Sequence, residues 1–470
     1  MSEGTKPETS QLTNKELKEL KKKEKAAKRA AKKESIGIKP DAPQRRGGDR
    51  PKTASNIKKQ INQSKTQSET LKIPPLFGHL ETREQRISST PPQLANIVHP
   101  SILTLCLKYS TFKIVGSTHR CQAMLEAFKD VIESYKTPEG TSLSRHLTGH
   151  LSHQIEYLKS ARPLSTSMGN TIRWLKQEIS LISIDETDEQ AQLILTEKID
   201  VYIKEKIEYA NIAITDSTIQ HIVDGSTVLT FGHSQVLLHI FKHVATELNR
   251  KFKLVIVDSR PLFEGKKLAT ELSGYPNISC QYIFINSLSS ILQEPVDVVL
   301  LGAHAMLSNG RLYSRVGTAL IAMSAHKRDI PVLVCCQSIK FSDKVQLDSV
   351  TMNELSEGQD LLTMGSKPTK RNGFALEQFL KEKRTQKEEE SKGKKNSNNN
   401  NNSNSNGVSL TKPEDPLANY REIDNVTILN IMYDLTPPEY IQKVITEVGS
   451  LPPSSVPVIL REYKGNSSNS

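Results

Sequence analysis

Short apolar segments alternate with helix-length stretches in the part of the chain that follows Asp224. Each segment has four residues, and most are rich in valine, leucine and isoleucine, as strands buried on both faces of a sheet are. They are Val228–Phe231, Leu254–Val257, Tyr282–Ile285, Val298–Leu301 and Val332–Cys335. The connections are long enough for crossover helices, so the pattern predicts an α/β fold, with a Rossmann-like, doubly wound parallel sheet over residues 223–463.

The preceding region, from about Pro92 to Ile222, has the three- and four-residue spacing of helices. One apolar stripe ends at Thr137–Gly140, and it consists of Met124, Leu125, Phe128, Val131, Ile132 and Tyr135. A second helix is predicted over 188–214, with Ile199, Ile203, Ile207, Ala210 and Ile214 on one face. We therefore predict an N-terminal all-helical domain over residues 73–222, which begins with a short apolar segment, Ile73–Leu80, that docks either on its own domain or on a partner.

Two polar residues of the second helix are predicted to face away from the core. Glu205 lies two residues beyond Ile203, and Tyr209 lies two residues beyond Ile207. A step of two residues is a rotation of about 200° around an α-helix. An aromatic ring on the outer face has no role in the core. This face is therefore a candidate contact surface.

The net charge is concentrated at the N-terminus. Residues 1–70 contain nineteen lysines and arginines but nine acidic residues, and the whole chain has a formal net charge of +11. Because this segment has few large apolar side chains, we predict a disordered basic tail over residues 1–72. A weak RNA or ribosome contact through phosphates is one interpretation of the tail, and a solubilising role is the alternative.

A low-complexity region interrupts the sheet pattern. Mixed charges run through Lys395 into an Asn/Ser run, Asn396–Asn406, which has no side chains that could form a core. We predict a disordered insertion at about 364–412 and a disordered C-terminus at 464–470.

Several classes of protein are disfavoured by what the sequence lacks. The five cysteines form no Cys-x-x-Cys pair, which is typical of reduced thiols in a cytosolic protein, and no apolar run is long enough for a membrane span. The sequence contains neither a phosphate-binding P-loop nor a dinucleotide-binding glycine motif. His146, His150 and His153 share a predicted helix without a further ligand, so no metal and no cofactor are expected.

Parallel sheets bind ligands outside the carboxyl ends of their strands. Six residues lie at or near these ends and form a candidate pocket: Gly232, His233, Asp258, Arg260, His304 and Asn309. Asp258 and Arg260 could bind an anionic ligand or brace one another, and we favour the structural role.

Three segments around this pocket resemble a known family. Asp224–Ser234, Val255–Pro261 and Val299–Gly310 are similar to segments of methylthioribose-1-phosphate isomerases, ribose-1,5-bisphosphate isomerases and the alpha, beta and delta subunits of translation initiation factor 2B. In the enzymes of the family, a cysteine and an aspartate stand where this chain has Gly232 and His304. The resemblance therefore implies a vestigial pocket in a protein that is not an enzyme, because both agents of proton transfer are missing.

Further segments resemble the delta branch of the family. They are Val98–Ser101, Gly116–Cys121, Ala161–Asn170, Val332–Cys336 and Tyr433–Glu439. This resemblance implies a non-catalytic regulatory subunit of a guanine nucleotide exchange complex, with alpha, beta, gamma and epsilon subunits as partners. It also implies that the complex senses phosphorylation of the alpha chain of initiation factor 2, near Arg145, Glu205 and Tyr209.

Two other functions are weighed against this one. A sugar-phosphate aldose-ketose isomerase is disfavoured because Gly232 and His304 replace the reactive residues. An RNA-binding protein would depend on the basic tail alone, without interleaved aromatic side chains. The sequence therefore favours a regulatory subunit.

Overall fold

The five apolar segments after Asp224 form five strands of a seven-stranded sheet. The computed structural model describes residues 72–90, 97–183, 186–362, 417 and 420–467. The strands of this sheet are β1 (Thr227–Phe231), β2 (Phe252–Asp258), β3 (Ile278–Phe284), β4 (Val298–Gly302), β7 (Val332–Cys335), β10 (Lys443–Thr446) and β11 (Gly449–Leu451). Their order is β11-β10-β7-β4-β1-β2-β3, and each neighbouring pair is parallel except β10 and β11. The prediction of a doubly wound sheet is confirmed.

The sheet is buried on both faces, and its residues alternate between two cores. Leu229, Val255 and Val299 belong to the core on one face, and Val228, Leu254 and Val298 belong to the core on the other. Each of these six side chains is at most 3% exposed. Continuous apolar strands are therefore explained by helices packed against both sides.

A second, four-stranded sheet was not predicted from the sequence. Its strands are β5 (Ala305–Leu307), β6 (Leu312–Arg315), β8 (Phe341–Ser342) and β9 (Tyr433–Thr436), in the order β8-β5-β6-β9. Strands of two to four residues are too short to show a period-two pattern, and β5 follows β4 of the main sheet after only two residues. The second sheet therefore depends on pairing between distant residues.

Helices make up the N-terminal half and cover the sheet. They are α1 (Arg83–Ser89), α2 (Pro100–Ser110), α3 (Ser117–Glu133), α4 (Leu143–Ala161), α5 (Thr166–Ser180), α6 (Asp188–Ile203), α7 (Ala210–Thr218), α8 (Gln235–Thr246), α9 (Glu264–Leu272), α10 (Leu288–Ile291), α11 (Thr318–His326), α12 (Gln359–Leu362) and α13 (Val456–Ser467). Both predicted apolar stripes are buried, apart from Tyr135, which is partly buried. The all-helical N-terminal part is confirmed.

The predicted helix over 188–214 is longer and less regular than expected. A π-helical segment, Lys204–Tyr209, lies between α6 and α7, so the helical path runs from Asp188 to Thr218. We call this segment the π turn. It begins after Ile203 and ends before Ala210, both of which are buried.

The apolar segment Ile73–Leu80 docks on its own chain. Phe77 is buried, the carbonyl oxygen of Lys72 accepts a hydrogen bond from the backbone N–H of Ile428 (3.0 Å), and Lys72 Nζ donates to the carbonyl oxygen of Ile423 (2.6 Å). Leu76, in contrast, is 65% exposed. From Lys72 onward the described residues belong to one compact unit.

Three predictions of disorder lie partly or wholly outside the described residues. These are the tail up to residue 71, the insertion and residues 468–470. Residues 464–467, in contrast, are described as the end of helix α13, which runs to Ser467. The run Gly465–Ser467 has poor helix propensity, but it extends a helix that is already nucleated by Val456 and Ile459 in the core.

Candidate functional site

The main cavity lies where the strand order of the sheet reverses. β1 and β4 are neighbours there, and their crossover connections run in opposite directions, which opens a crevice at their carboxyl ends. Phe231 at the end of β1 and Leu301 and Gly302 at the end of β4 line this cavity. The position is the one that the sequence predicted for a pocket.

The amino ends of two long helices open into the cavity. Gly116, Ser117 and Thr118 begin α3, and Ser234 and Gln235 begin α8; neither helix has a side-chain cap. Free backbone N–H groups at such ends favour anions.

The amino end of a third helix is capped from the second sheet. Asp434 Oδ2, on β9, accepts hydrogen bonds from the backbone N–H groups of Gly317 (2.7 Å) and Ala319 (3.0 Å), at the start of α11. Burial raises the pKa of Asp434 to about 7, even though these two N–H groups act to lower it. The cap is therefore a carboxyl group that takes up a proton near neutral pH.

Arg315 lines the main cavity and forms an ion pair with a carboxylate of the same chain. Its Nε and Nη2 donate to the two carboxylate oxygens of Glu264, at 2.8 and 2.7 Å, and its guanidinium lies 5.1 Å from the ring centre of Tyr433. Glu264 is the first residue of α9. The pair joins the second sheet to a helix of the main sheet.

His304 lies among aromatic rings and cations. Its ring centre is 4.4 Å from that of Tyr433 and 5.7 Å from that of Tyr313. Its pKa is well below the usual value, first because the ring is removed from solvent and then because four cations repel the protonated form. These cations are Arg120, Arg315, Arg162 and Lys340. His304 is therefore neutral and cannot replace a carboxylate.

Gly232 occupies a backbone conformation that a cysteine would adopt only with strain. Its φ is +63°, in the left-handed region, although the nearest atom to an added Cβ would be 3.8 Å away. The neighbouring His233 has a lowered pKa, mainly because of burial, and its Nε2 is 4.0 Å from Glu271 Oε1. The lining of the main cavity includes neither a cysteine nor an aspartate among the described residues.

Asp258 and Arg260 line a second, adjoining cavity with Gly232. Asp258 is 2% exposed and accepts hydrogen bonds from Tyr282 Oη (2.8 Å) and from the backbone N–H groups of Ser259 (2.9 Å) and Lys266 (3.0 Å). Tyr282 and two backbone N–H groups therefore hold the carboxylate of Asp258 in place. Its carboxylate connects β2, β3 and the start of α9.

Asn309 lies outside both cavities, contrary to its assignment to the pocket. It sits in the turn between β5 and β6, where Nδ2 donates to the carbonyl oxygen of Gln346 (2.9 Å). The sequence placed it near a strand end, but the β5–β6 hairpin carries it away. The residues missed by sequence reasoning are Arg120, Arg162, Glu264, Arg315, Lys340 and Tyr433, which no local pattern connects.

The candidate regulatory residues are all exposed but do not form one cluster. Glu205 and Tyr209 lie in the π turn, and Tyr209 is 60% exposed. Arg145 is near the start of α4, beside His146, which hydrogen-bonds to Tyr135. Gln192, near the start of α6, donates to the carbonyl oxygen of Tyr135 (2.6 Å). His146, next to Arg145, is therefore linked through Tyr135 to Gln192, which lies about 20 Å along the helical path from Glu205.

Metal-binding clusters and membrane-spanning helices are both absent from the described part of the chain. No three His, Cys, Asp or Glu side chains come together there as a metal site would require. None of its helices combines the length and apolar character needed to cross a bilayer.

Comparison with known proteins finds matches to initiation factor 2 subunits and to related isomerases. The model of the initiation factor 2 subunit family matches residues 113–453. The delta subunit of translation initiation factor eIF2B from Schizosaccharomyces pombe is 39% identical over 97% of this chain and 91% of its own length. Ribose 1,5-bisphosphate isomerase from Pyrococcus furiosus is 24% identical over 77% of this chain and 94% of its own.

A solved structure has the same fold. The tetrameric eIF2B-beta2-delta2 complex from C. thermophilum contains a chain with a TM-score of 0.60 and 29% identity, and the match covers 81% of this chain and 99% of that one. The likeness therefore includes both the helical part and the sheet part.

Proposed function

Since this chain belongs to the initiation factor 2 subunit family, we propose that it is a delta-type regulatory subunit of initiation factor 2B. In this role it promotes exchange of GDP for GTP on initiation factor 2 as part of a complex, without performing catalysis itself. The observation that carries the proposal is similarity to a delta subunit along nearly the whole chain. The cytosol is the proposed location.

The chemistry of the two adjoining cavities supports a non-catalytic role. Aldose-ketose isomerisation needs groups that move a proton between neighbouring carbons. Gly232 has no side chain and a left-handed backbone, and His304 is held neutral by burial and cations. Arg315, the arginine that lines the main cavity, is engaged by the carboxylate of Glu264.

The proposed partners are the alpha, beta, gamma and epsilon subunits and initiation factor 2 itself. We propose that Glu205 and Tyr209 form part of the surface that contacts the phosphorylated alpha chain of this factor. Arg145 is proposed as a second contact, at the other end of α6. A weak RNA or ribosome contact is proposed for the basic tail, which lies outside the described residues.

The test is purification of the tagged chain from its native lysate, with identification of the chains that co-purify. Recovery of the other four subunits in stable proportion supports the proposal, especially if the complex accelerates GDP release from initiation factor 2. A chain recovered alone, or a complex without exchange activity, contradicts it. Isomerase turnover by the purified chain would favour the enzymatic alternative.

A further inference from the structure

One helical path is shared by the helical part and the sheet part of the molecule. Ala191, Leu195 and Ile199 of α6 belong to the core of the helical part. Ile214 of α7 belongs to a core on the sheet. The π turn lies between these two sets of contacts.

Both ends of the path are anchored by specific contacts. Before the π turn, the ring of Tyr202 stacks on that of Trp174 with 4.0 Å between ring centres. After it, Asn211 Oδ1 accepts a hydrogen bond from Gln337 Nε2 (2.7 Å). The orientation of α6 and that of α7 are therefore set independently, by different parts of the fold.

The spacing of the buried residues explains why the segment is not a regular α-helix. Ala191, Leu195, Ile199, Ile203 and Ile207 are buried at steps of four residues. In an α-helix each such step exceeds a full turn by about 40°, so the apolar stripe would rotate progressively away from the core. A π turn holds more residues per turn, which corrects this drift before α7 begins.

The contact beyond the π turn leads to the main cavity. Gln337 is fully buried, and its Oε1 accepts a hydrogen bond from Thr118 Oγ1 (2.9 Å). Thr118 is in the first turn of α3 and lines the cavity. A displacement of α7 would therefore be transmitted through Gln337 and Thr118 to α3, the helix that begins at this cavity.

We propose that the π turn is an adjustable joint that holds one residue more than a regular helix needs. Its two states are the π turn and an α-helical turn, and they present Glu205 and Tyr209 differently while α6 stays in its core. A partner that binds one state more tightly shifts α7 and its contact with Gln337. This inference rests on the proposed function, because it takes the exposed face of the joint to be the regulatory surface.

Deletion of Lys204 is the sharpest test. Lys204 is exposed, and its removal leaves the residues of α6 in their positions and lets the remaining five residues form a regular helix. The matched control is deletion of Glu197, an exposed residue within α6, which would move Asp200 and Lys204 into the positions of Ile199 and Ile203. Lys204→Ala controls for loss of the side chain alone.

The first readout is thermal unfolding of the full-length chain with its partner subunits. We expect the Lys204 deletion to stay within about 3 °C of the unaltered chain and the Glu197 deletion to lose roughly 10 °C or to fail to fold. If both deletions are equally damaging, the π turn does not hold an extra residue and the proposal is wrong.

The second readout is inhibition of nucleotide exchange by phosphorylated initiation factor 2. We expect the Lys204 deletion to weaken inhibition about five-fold or more, and Lys204→Ala to leave it unchanged. If the Lys204 deletion variant folds well and is still fully inhibited, the proposal of an adjustable joint is wrong. If Tyr209→Ala weakens inhibition in that case, the regulatory surface survives and only the joint is rejected; if neither variant has an effect, the regulatory surface fails too.

Discussion

Arg162 and Glu354 form a two-point ion pair in the protein interior. Arg162 Nε and Nη2 donate to Glu354 Oε1 and Oε2, at 2.7 and 3.1 Å, and both side chains are at most 6% exposed. Arg162 directly follows α4 of the helical part, whereas Glu354 belongs to the segment after β8. The pair therefore joins the two halves of the molecule.

Loss of one member of this pair should destabilise the fold strongly. Glu354→Gln leaves the buried charge of Arg162 without its counterion, which commonly costs about 3 to 5 kcal/mol. The matched control is Glu357→Gln, because Glu357 pairs with Arg83 at 3.2 Å where both side chains are about a third exposed. That change should cost about 1 kcal/mol or less. Urea unfolding measures both values, and equal losses would contradict the assignment.

Asp434 should make stability depend on pH. Its pKa is raised to about 7 in the folded chain, against about 3.9 in an unfolded one. Its contribution to the free energy of unfolding is therefore complete below about pH 4 and is lost as the pH rises to about 7. Asp434→Asn removes this term while keeping an oxygen for the N–H groups of Gly317 and Ala319. The difference in stability between variant and parent should grow with pH up to about 7; parallel curves would show that the carboxyl titrates normally.

The chain should have no isomerase activity. Neither methylthioribose-1-phosphate nor ribose-1,5-bisphosphate should be converted, because Gly232 and neutral His304 offer no acid–base pair. A coupled assay with a genuine isomerase as positive control measures this. Turnover that disappears in His304→Ala would show that another acid–base arrangement operates.

Removal of the basic tail should leave folding and assembly intact. The described contacts begin at Lys72, so a chain that starts at residue 71 keeps them all. A chain that starts at residue 82 also loses Phe77, and loss of a buried phenylalanine typically costs about 3 to 5 kcal/mol. Thermal unfolding and co-purification of partner subunits should separate the two truncations. If the chain that starts at residue 71 failed to assemble with its partner subunits, the tail would have a structural role.

Tyr209 and Glu205 should matter for inhibition but not for assembly. Truncation of an interface aromatic to alanine commonly costs about 1 to 4 kcal/mol of binding, so Tyr209→Ala should weaken inhibition by the phosphorylated factor at least several-fold. Glu205→Lys should act in the same direction. Leu181→Ala is the control, because Leu181 is similarly exposed, at 64%, but follows a different helix. Unaltered inhibition in both variants, with normal subunit incorporation, would remove the π turn from the sensing surface.

The amino-acid sequence by itself determined five of the seven strands of the main sheet, the apolar faces of the helices and the loss of both reactive residues. The local spacing of apolar residues shows which face of a helix or strand is buried. Val298–Leu301 and the apolar stripe through Ile199 could therefore be recognised without knowing which elements pack against them. Only the tertiary structure decided that Arg120, Arg162, Arg315 and Lys340 surround His304, since they come from four separate segments. The same holds for the short second sheet, because it depends on pairing between residues far apart in the chain, which local periodicity does not record.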